Sequence, residues 1–190
     1  QAVRHGVDII GHANYLDDEA VDMLEAKRDQ IFVCPAIAWE ITLLDRGSEL
    51  GLPRDAMEQR GYQKEVDETI SAVKRLRDSK VRVLVGGDYG LNITPHGTNS
   101  KDLEYFVDLF GMSTSEALLC ATRDGGAAAD TSGMVGTLEE GKYADLVIVD
   151  GNPLEDIRIL QDHSRIVGVM KDGVMHCALM QKNPYIAPDE

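Results

Sequence analysis

The sequence predicts an α/β fold in which a parallel sheet with helical crossovers precedes a small all-β unit, and three observations carry this. Short apolar runs alternate with helix-period segments through residues 1–132. Two of those runs stop abruptly on a polar residue, His12 after VDIIG and Asp88 after VRVLVGG. From Gly133 onward the helical period disappears, and glycines with an Asp-Gly dipeptide take over the punctuation.

Each element follows from local chemistry. Residues 7–11, VDIIG, read as a strand, followed by His12 and a loop through Ala13, Asn14 and Tyr15. A helix begins at Asp17 and Asp18, acids suited to a first turn, and ends at Lys27 and Arg28, cations suited to a last one. Residues 31–34 form another apolar strand. A long loop carrying Trp39 and Glu40 follows, until Pro53 opens a helical stretch with Val66, Ile70, Val73 and Leu76 at helical spacing. In the run of residues 81–88, four of the first five residues are apolar and strand-favouring, with a single Arg82, and two glycines allow a tight turn before Asp88. A loop through Thr98 and Asn99 then leads to a helix over residues 101–110. Three strand-helix units in tandem imply parallel strands joined by right-handed crossovers.

The remainder reads as helices over residues 115–122 and 127–130, then a strand over 146–149 closed by Asn152-Pro153. Strands over 166–170 and 174–177 flank Lys171-Asp172-Gly173, a strong hairpin signal. The division is therefore residues 1–132, residues 133–180, and an extended tail over 181–190.

Composition narrows the function classes. With 190 residues and 43% hydrophobic content the chain can bury a real core. A formal charge of -14 argues against nucleic acid or an anionic membrane surface as partner. No apolar run is long enough to span a bilayer, and no signal peptide is evident, so a cytoplasmic location is expected. The three cysteines, Cys34, Cys120 and Cys177, are odd in number and far apart, and Cys34 on a strand and Cys120 on an apolar helix read as reduced core residues.

The strand ends hold the candidate chemistry. In a parallel α/β barrel, functional groups sit where strands finish, at the C-terminal mouth. Asp88 fits that position, although an acid after Gly-Gly is also a common turn or helix-cap residue. His12 ends a strand in the same way. Trp39 and Glu40 suit a substrate-contacting loop, with a packed loop aromatic as the plainer alternative. His5, before Gly6, reads as a helix C-terminal partner, and His163 and His176 as surface or packing residues.

Taken together, RHGVDIIGHANYLDD over residues 4–18 and GGDYGLNITPHGTNSKDLEYFVDLFGMSTSEALLCAT after the third strand resemble the metal-dependent amidohydrolase superfamily. The likeness is to its imidazolonepropionase-like and prolidase-like branch. The segment GTLEEGKYADLVIVDGNPLEDI is similar to that family's C-terminal return to a small β-sandwich. The resemblance implies the C-terminal part of a (β/α)8 TIM-type barrel, strands six to eight, followed by a β-sandwich segment. It also implies one or two divalent metals, zinc by ligand type, and hydrolysis of an amide or related C–N bond in a dipeptide-like or other small molecule. In this reading His12 is the strand-six metal ligand and Asp88 the strand-eight aspartate, touching metal and the attacking water. His96, in the PHGTN loop, together with Tyr89 and Trp39, contacts substrate. Tyr89 departs from the small or hydroxyl residue common in the branch.

The family's opening His-x-His pair, its strand-four lysine or glutamate and its strand-five histidine are absent. The expectation is thus a truncated chain, without an initiating Met, that supplies about three of the eight barrel strands. Two ligands alone fall short of the three usual in a catalytic zinc site. Two other readings stay open: a non-catalytic binding or structural fragment, and a deaminase of the same superfamily. A homo-oligomer, or association with the missing N-terminal half, would cover the exposed strand edges.

Overall fold

The computed structural model describes residues 1–178, and the tail expected over 181–190 lies outside the described residues. The chain opens with a 3-10 turn, Ala2–His5, closed by Gly6 in the left-handed conformation with His5 in its last turn. Strand β1, Ile9–Gly11, follows, then helix α1, Asp18–Ala26, whose cap Asp17 accepts a hydrogen bond from Ala20 N at 2.8 Å. Strand β2 is Phe32–Cys34.

The long loop expected after β2 is absent. Pro35 and a left-handed Ala36 (φ 55°) lead directly into helix α2, Ile37–Arg46, so Trp39 and Glu40 are helical. The physical reason lies in the sequence, since Ile37, Leu43 and Leu44 form a buried stripe with Glu40 inside it. The stretch opened by Pro53 is two helices, α3 (Arg54–Gln59) and α4 (Tyr62–Asp78), broken at Gly61 with φ 90°. Val66, Val73 and Leu76 of α4 are buried as their spacing requires.

Strand β3 is Arg82–Val83, shorter than its apolar run, although Leu84 N still donates to Val33 O at 2.8 Å. Helix α5, Lys101–Asp108, and α6, Thr114–Leu119, come next, the latter opened by a capping box between Ser113 and Glu116. A π-helical turn over Cys120–Asp124 joins α6 to α7, Gly125–Ala129. The two helices expected here are therefore one helical run.

Strands β1, β2 and β3 form a parallel sheet in that order, with Ile9 opposite Phe32 and Phe32 opposite Arg82. Arg82 covers the Phe32 ring at 3.8 Å and donates to Asp29 O at 2.7 Å, which accounts for a cation within an apolar strand. The core gathers between this sheet and the helices, with Val33, Ile37, Leu76 and the tilted pair Phe106 and Phe110 (5.1 Å between centroids) nearly inaccessible.

The all-β unit is a three-stranded antiparallel sheet of β4 (Leu146–Val149), β5 (Ile166–Lys171) and β6 (Val174–Ala178). Asp172 (φ 50°) and Gly173 (φ 77°) make the expected hairpin turn between its last two strands. A 3-10 segment, Ile157–Gln161, ties the unit to α5, where Arg158 meets Asp108 at 2.6 Å and Gln161 donates to Glu104 at 2.7 Å. No helix among the described residues is long and apolar enough to cross a membrane.

Both outer strands of the parallel sheet are unpaired on one side among the described residues. Val7 and Ile9 are exposed there, and Val147, Ile148 and Val174 are exposed on the second sheet. Open parallel edges beside apolar surface recruit further strands. We therefore expect these 190 residues, expressed alone, to self-associate in light scattering; a cooperative monomer of 20.8 kDa would contradict this.

Candidate active site

The two strand-end residues emerge from the same end of the sheet. Gly11 of β1 is level with Cys34 of β2, and His12 N donates to Cys34 O at 2.8 Å. On the other side of β2, Cys34 Sγ donates to Gly86 O at 3.3 Å, two residues before Asp88. His12 and Asp88 thus leave the C-terminal ends of strands that flank β2, and both are exposed.

Both also adopt left-handed backbone, with φ of 64° at His12, 59° at Ala13 and 58° at Asp88. Such a conformation costs an L-residue roughly 1–2 kcal/mol, so surrounding contacts must hold it. Gly86 and Gly87, expected to make the turn, have no left-handed φ themselves. They are glycines because the backbone runs too close to its neighbours. A Cβ on Gly86 would lie 2.1 Å from Cys34 Sγ, and one on Gly87 within 2.6–2.8 Å of the Tyr89 ring, Ala38 Cβ and Asp102 Oδ1.

Two buried acids stand behind these turns. Behind His12, Asn14 Nδ2 donates to Glu40 Oε1 at 2.8 Å and to Glu65 Oε1 at 2.6 Å, and Thr69 Oγ1 donates to Glu40 Oε2 at 2.9 Å. Asn14 Oδ1 is buried without a partner. Burial pushes the Glu40 carboxyl up to about 7, and the nearby Glu65 acts in the same direction, against the Thr69 hydroxyl and the Asn14 amide. Behind Asp88, Asp102 is 1% exposed and accepts from Gly86 N at 3.0 Å. Burial raises it to about 6, opposed by the Gly86 N–H, the Tyr89 hydroxyl and the Ala38 N–H. That hydroxyl faces the carboxylate without closing a well-formed hydrogen bond, since Tyr89 Oη and Asp102 Oδ1 are both buried and unpartnered.

The remaining candidates separate. Tyr89 lines a cavity of about 460 Å³ together with Ala38, Thr42, Arg46, Lys101 and Tyr105. Trp39, on α2, is half-buried against the core and is not among the residues lining that cavity. His96 is exposed on the loop after β3, its ring close against Gly90, while its neighbours Pro95 and Gly97 line the cavity. His163, read as surface, is exposed but makes a 3.0 Å hydrogen bond between its Nε2 and Gly97 O, steadying that loop. Burial pushes Cys120 up to about 12 and also raises Cys34, so neither thiol is primed as a nucleophile.

An imidazole and a carboxylate are suitable donors for a divalent ion, and neither His12 nor Asp88 spends its side chain on a hydrogen bond among the described residues. No group of three or more His, Cys, Asp or Glu gathers there among the described residues. Two such donors fall short of the three protein ligands usual at a catalytic zinc. Sequence reading passed over Asn14 and Asp102 and read Glu40 as a loop residue. The available signal was an acid on an apolar helix stripe, Glu40 between Ile37 and Leu43, and Asp102 four residues before Phe106.

Glu40 carries a stability consequence. Folded, it keeps its proton up to about pH 7, whereas in the unfolded chain it loses it near 4.5, so its ionisation costs stability as pH rises between those values. The cost is on the order of 3 kcal/mol. Glu40→Gln, neutral and isosteric, should gain thermal stability over the unaltered protein between pH 5 and pH 8. A Tm difference that stays constant across that range would contradict the buried acid's role.

The model of the Amidohydrolase family matches residues 2–175. An ochratoxinase of Aspergillus niger is 27% identical over 188 residues, covering 98% of this chain and 36% of the relative. A Xaa-Pro dipeptidase with bound methionine in its active site superposes with a TM-score of 0.76 at 28% identity, over 93% of this chain and 41% of that one. A prolidase complexed with N-methylphosphonate-L-proline gives 0.78 at 26% identity, over 93% and 42%. The chain therefore spans about a third of the ochratoxinase's length and about two fifths of each of these structures. Its parallel strands and helices correspond to part of their barrel domain. With the family model matched along nearly all of its length, the chain belongs to the amidohydrolase family.

Proposed function

We propose that this chain carries the strand-six to strand-eight side of the active site of a metal-dependent hydrolase that cleaves an amide or related C–N bond. The observation that supports this most is the pairing of His12 and Asp88 at the C-terminal ends of the strands flanking β2, both side chains exposed. His12 and Asp88 would be two of the ligands of a divalent ion, zinc by ligand type, with the other ligands coming from outside the described residues. Such an ion supplies positive charge that polarises a carbonyl and lowers the pKa of water.

Asp88 then accepts the proton of the attacking water as its oxygen bonds to the carbonyl carbon. When the C–N bond breaks, the same carboxyl returns that proton to the leaving nitrogen. Tyr89 is the substrate contact favoured by position, because its ring lines the cavity beside the Asp88 turn. His96 would act from the rim of the same loop. Substrates of the relatives named above guide the choice of probe: dipeptides ending in proline, and small amides such as ochratoxin. The antiparallel sheet would be one face of a β-sandwich, and a cytoplasmic, self-associated protein is consistent with the acidic charge and the open strand edges.

The test uses the protein as produced from its native gene, with methionyl-proline, N-acetyl-methionine and ochratoxin as probes and released amine as the readout. Turnover of at least one amide is expected, and absence of amine release from all three would contradict the reading. Asp88→Asn keeps an oxygen but removes the base, so kcat should fall by ~10² to 10⁴ with the fold intact. A near-normal kcat in that variant would rule out the role given to Asp88.

A further inference from the structure

We infer that Asp102 is the positioning residue for Asp88: its buried carboxylate, seated beneath Gly86 and Gly87, fixes the left-handed turn that carries the catalytic acid. The inference rests on Asp88 being the proton acceptor. It adds a residue that touches neither the substrate nor the metal.

The geometry is specific. Asp102 stands in the first turn of α5, where an acid ordinarily faces water and the helix dipole. Here it is 1% exposed and directed into the protein. One oxygen, Oδ2, accepts from Gly86 N at 3.0 Å, and the other lies where a Cβ on Gly87 would be 2.8 Å away. The backbone leading to Asp88 therefore rests on this carboxylate without intervening atoms. Asp88 itself is braced on its far side, where its carbonyl accepts from Thr94 Oγ1 at 3.2 Å.

The Gly86 N–H donates to the group, and the Ala38 N–H and the Tyr89 hydroxyl stand close to it, the hydroxyl without a well-formed hydrogen bond. Ala38 lies in the first turn of α2, whose cap residue Ala36 offers no side-chain acceptor, so the positive end of that helix faces the acid. A carboxylate, which only accepts, suits these neighbours, with Oδ2 paired and Oδ1 left without a partner among the described residues. An amide keeps one accepting oxygen for the Gly86 N–H but loses the negative charge that faces the start of α2. Asp102 thereby joins the start of α5 to the exit of β3 beside the start of α2. Small displacements of a catalytic group are costly, since about 1 Å can reduce a rate roughly 100-fold.

The experiment measures kcat and KM of the native gene product and its variants Asp102→Asn, Asp102→Glu, Asp88→Asn and the double Asp88→Asn/Asp102→Asn, using whichever of the three probe amides is hydrolysed. Circular dichroism and thermal melts establish that each variant folds. Asp102→Asn should lower kcat roughly 10- to 100-fold with KM changed less than about threefold. The double variant should be no slower than Asp88→Asn alone, because both changes act on one group. Should Asp102→Asn fail to fold, Asp102→Glu, which keeps the charge but shifts it by one methylene, carries the same comparison. A folded Asp102 variant with near-normal kcat, or a double variant whose loss is the product of the single losses, would overturn the inference. Near-normal turnover in Asp88→Asn would instead remove the reading of Asp88, and the inference with it.

Discussion

The candidate site depends on how closely the end of β3 lies against its neighbours. Gly86 runs past Cys34 and Gly87 past Ala38, Tyr89 and Asp102, at separations that leave no room for a Cβ. That contact determines where Asp88 emerges, and it brings the starts of α2 and α5 together on one side of the sheet. Any side chain at either glycine would have to move a strand, two helices or a buried acid. Close packing of this kind transmits strain instead of absorbing it.

A common arrangement underlies both turns. His12 and Asp88 each sit in a conformation that L-residues avoid, and each turn rests against a buried carboxyl belonging to a helix. Behind His12 the link runs through Asn14 to Glu40 and Glu65; behind Asp88 the Asp102 carboxylate touches the backbone directly. Buried acids are expensive, and both are raised well above the ordinary carboxylate range by burial. Their cost is offset where several donors converge on them, which keeps the turns in one geometry.

Much of this was legible in the sequence, and the losses have physical causes. The strands β1, β2 and β4 and the Asp172-Gly173 hairpin follow from apolar runs and turn chemistry, which act locally. The helix at residues 37–46 is hard to see locally because Glu40, a buried acid, interrupts its apolar stripe. Trp39 accordingly stands on that helix, partly buried against the core. The glycines before Asp88 were read as conformationally permissive, yet they are needed for close approach, a tertiary property that no local pattern encodes. Asp102 escaped for the same reason: an acid in a first helical turn looks solvated until the chain folds over it. His12 and Asp88 stood out because each ends an apolar strand, but whatever completes their site lies beyond these two positions.

The central claim is that the exits of β1 and β3 present His12 and Asp88 to one divalent ion. The most direct measurement is a crystal structure of the native gene product with zinc, recorded at the zinc absorption edge so that anomalous scattering locates the ion. The account predicts an anomalous peak within about 2.2 Å of a His12 ring nitrogen and of an Asp88 oxygen. A bound ion coordinated without either residue would contradict it.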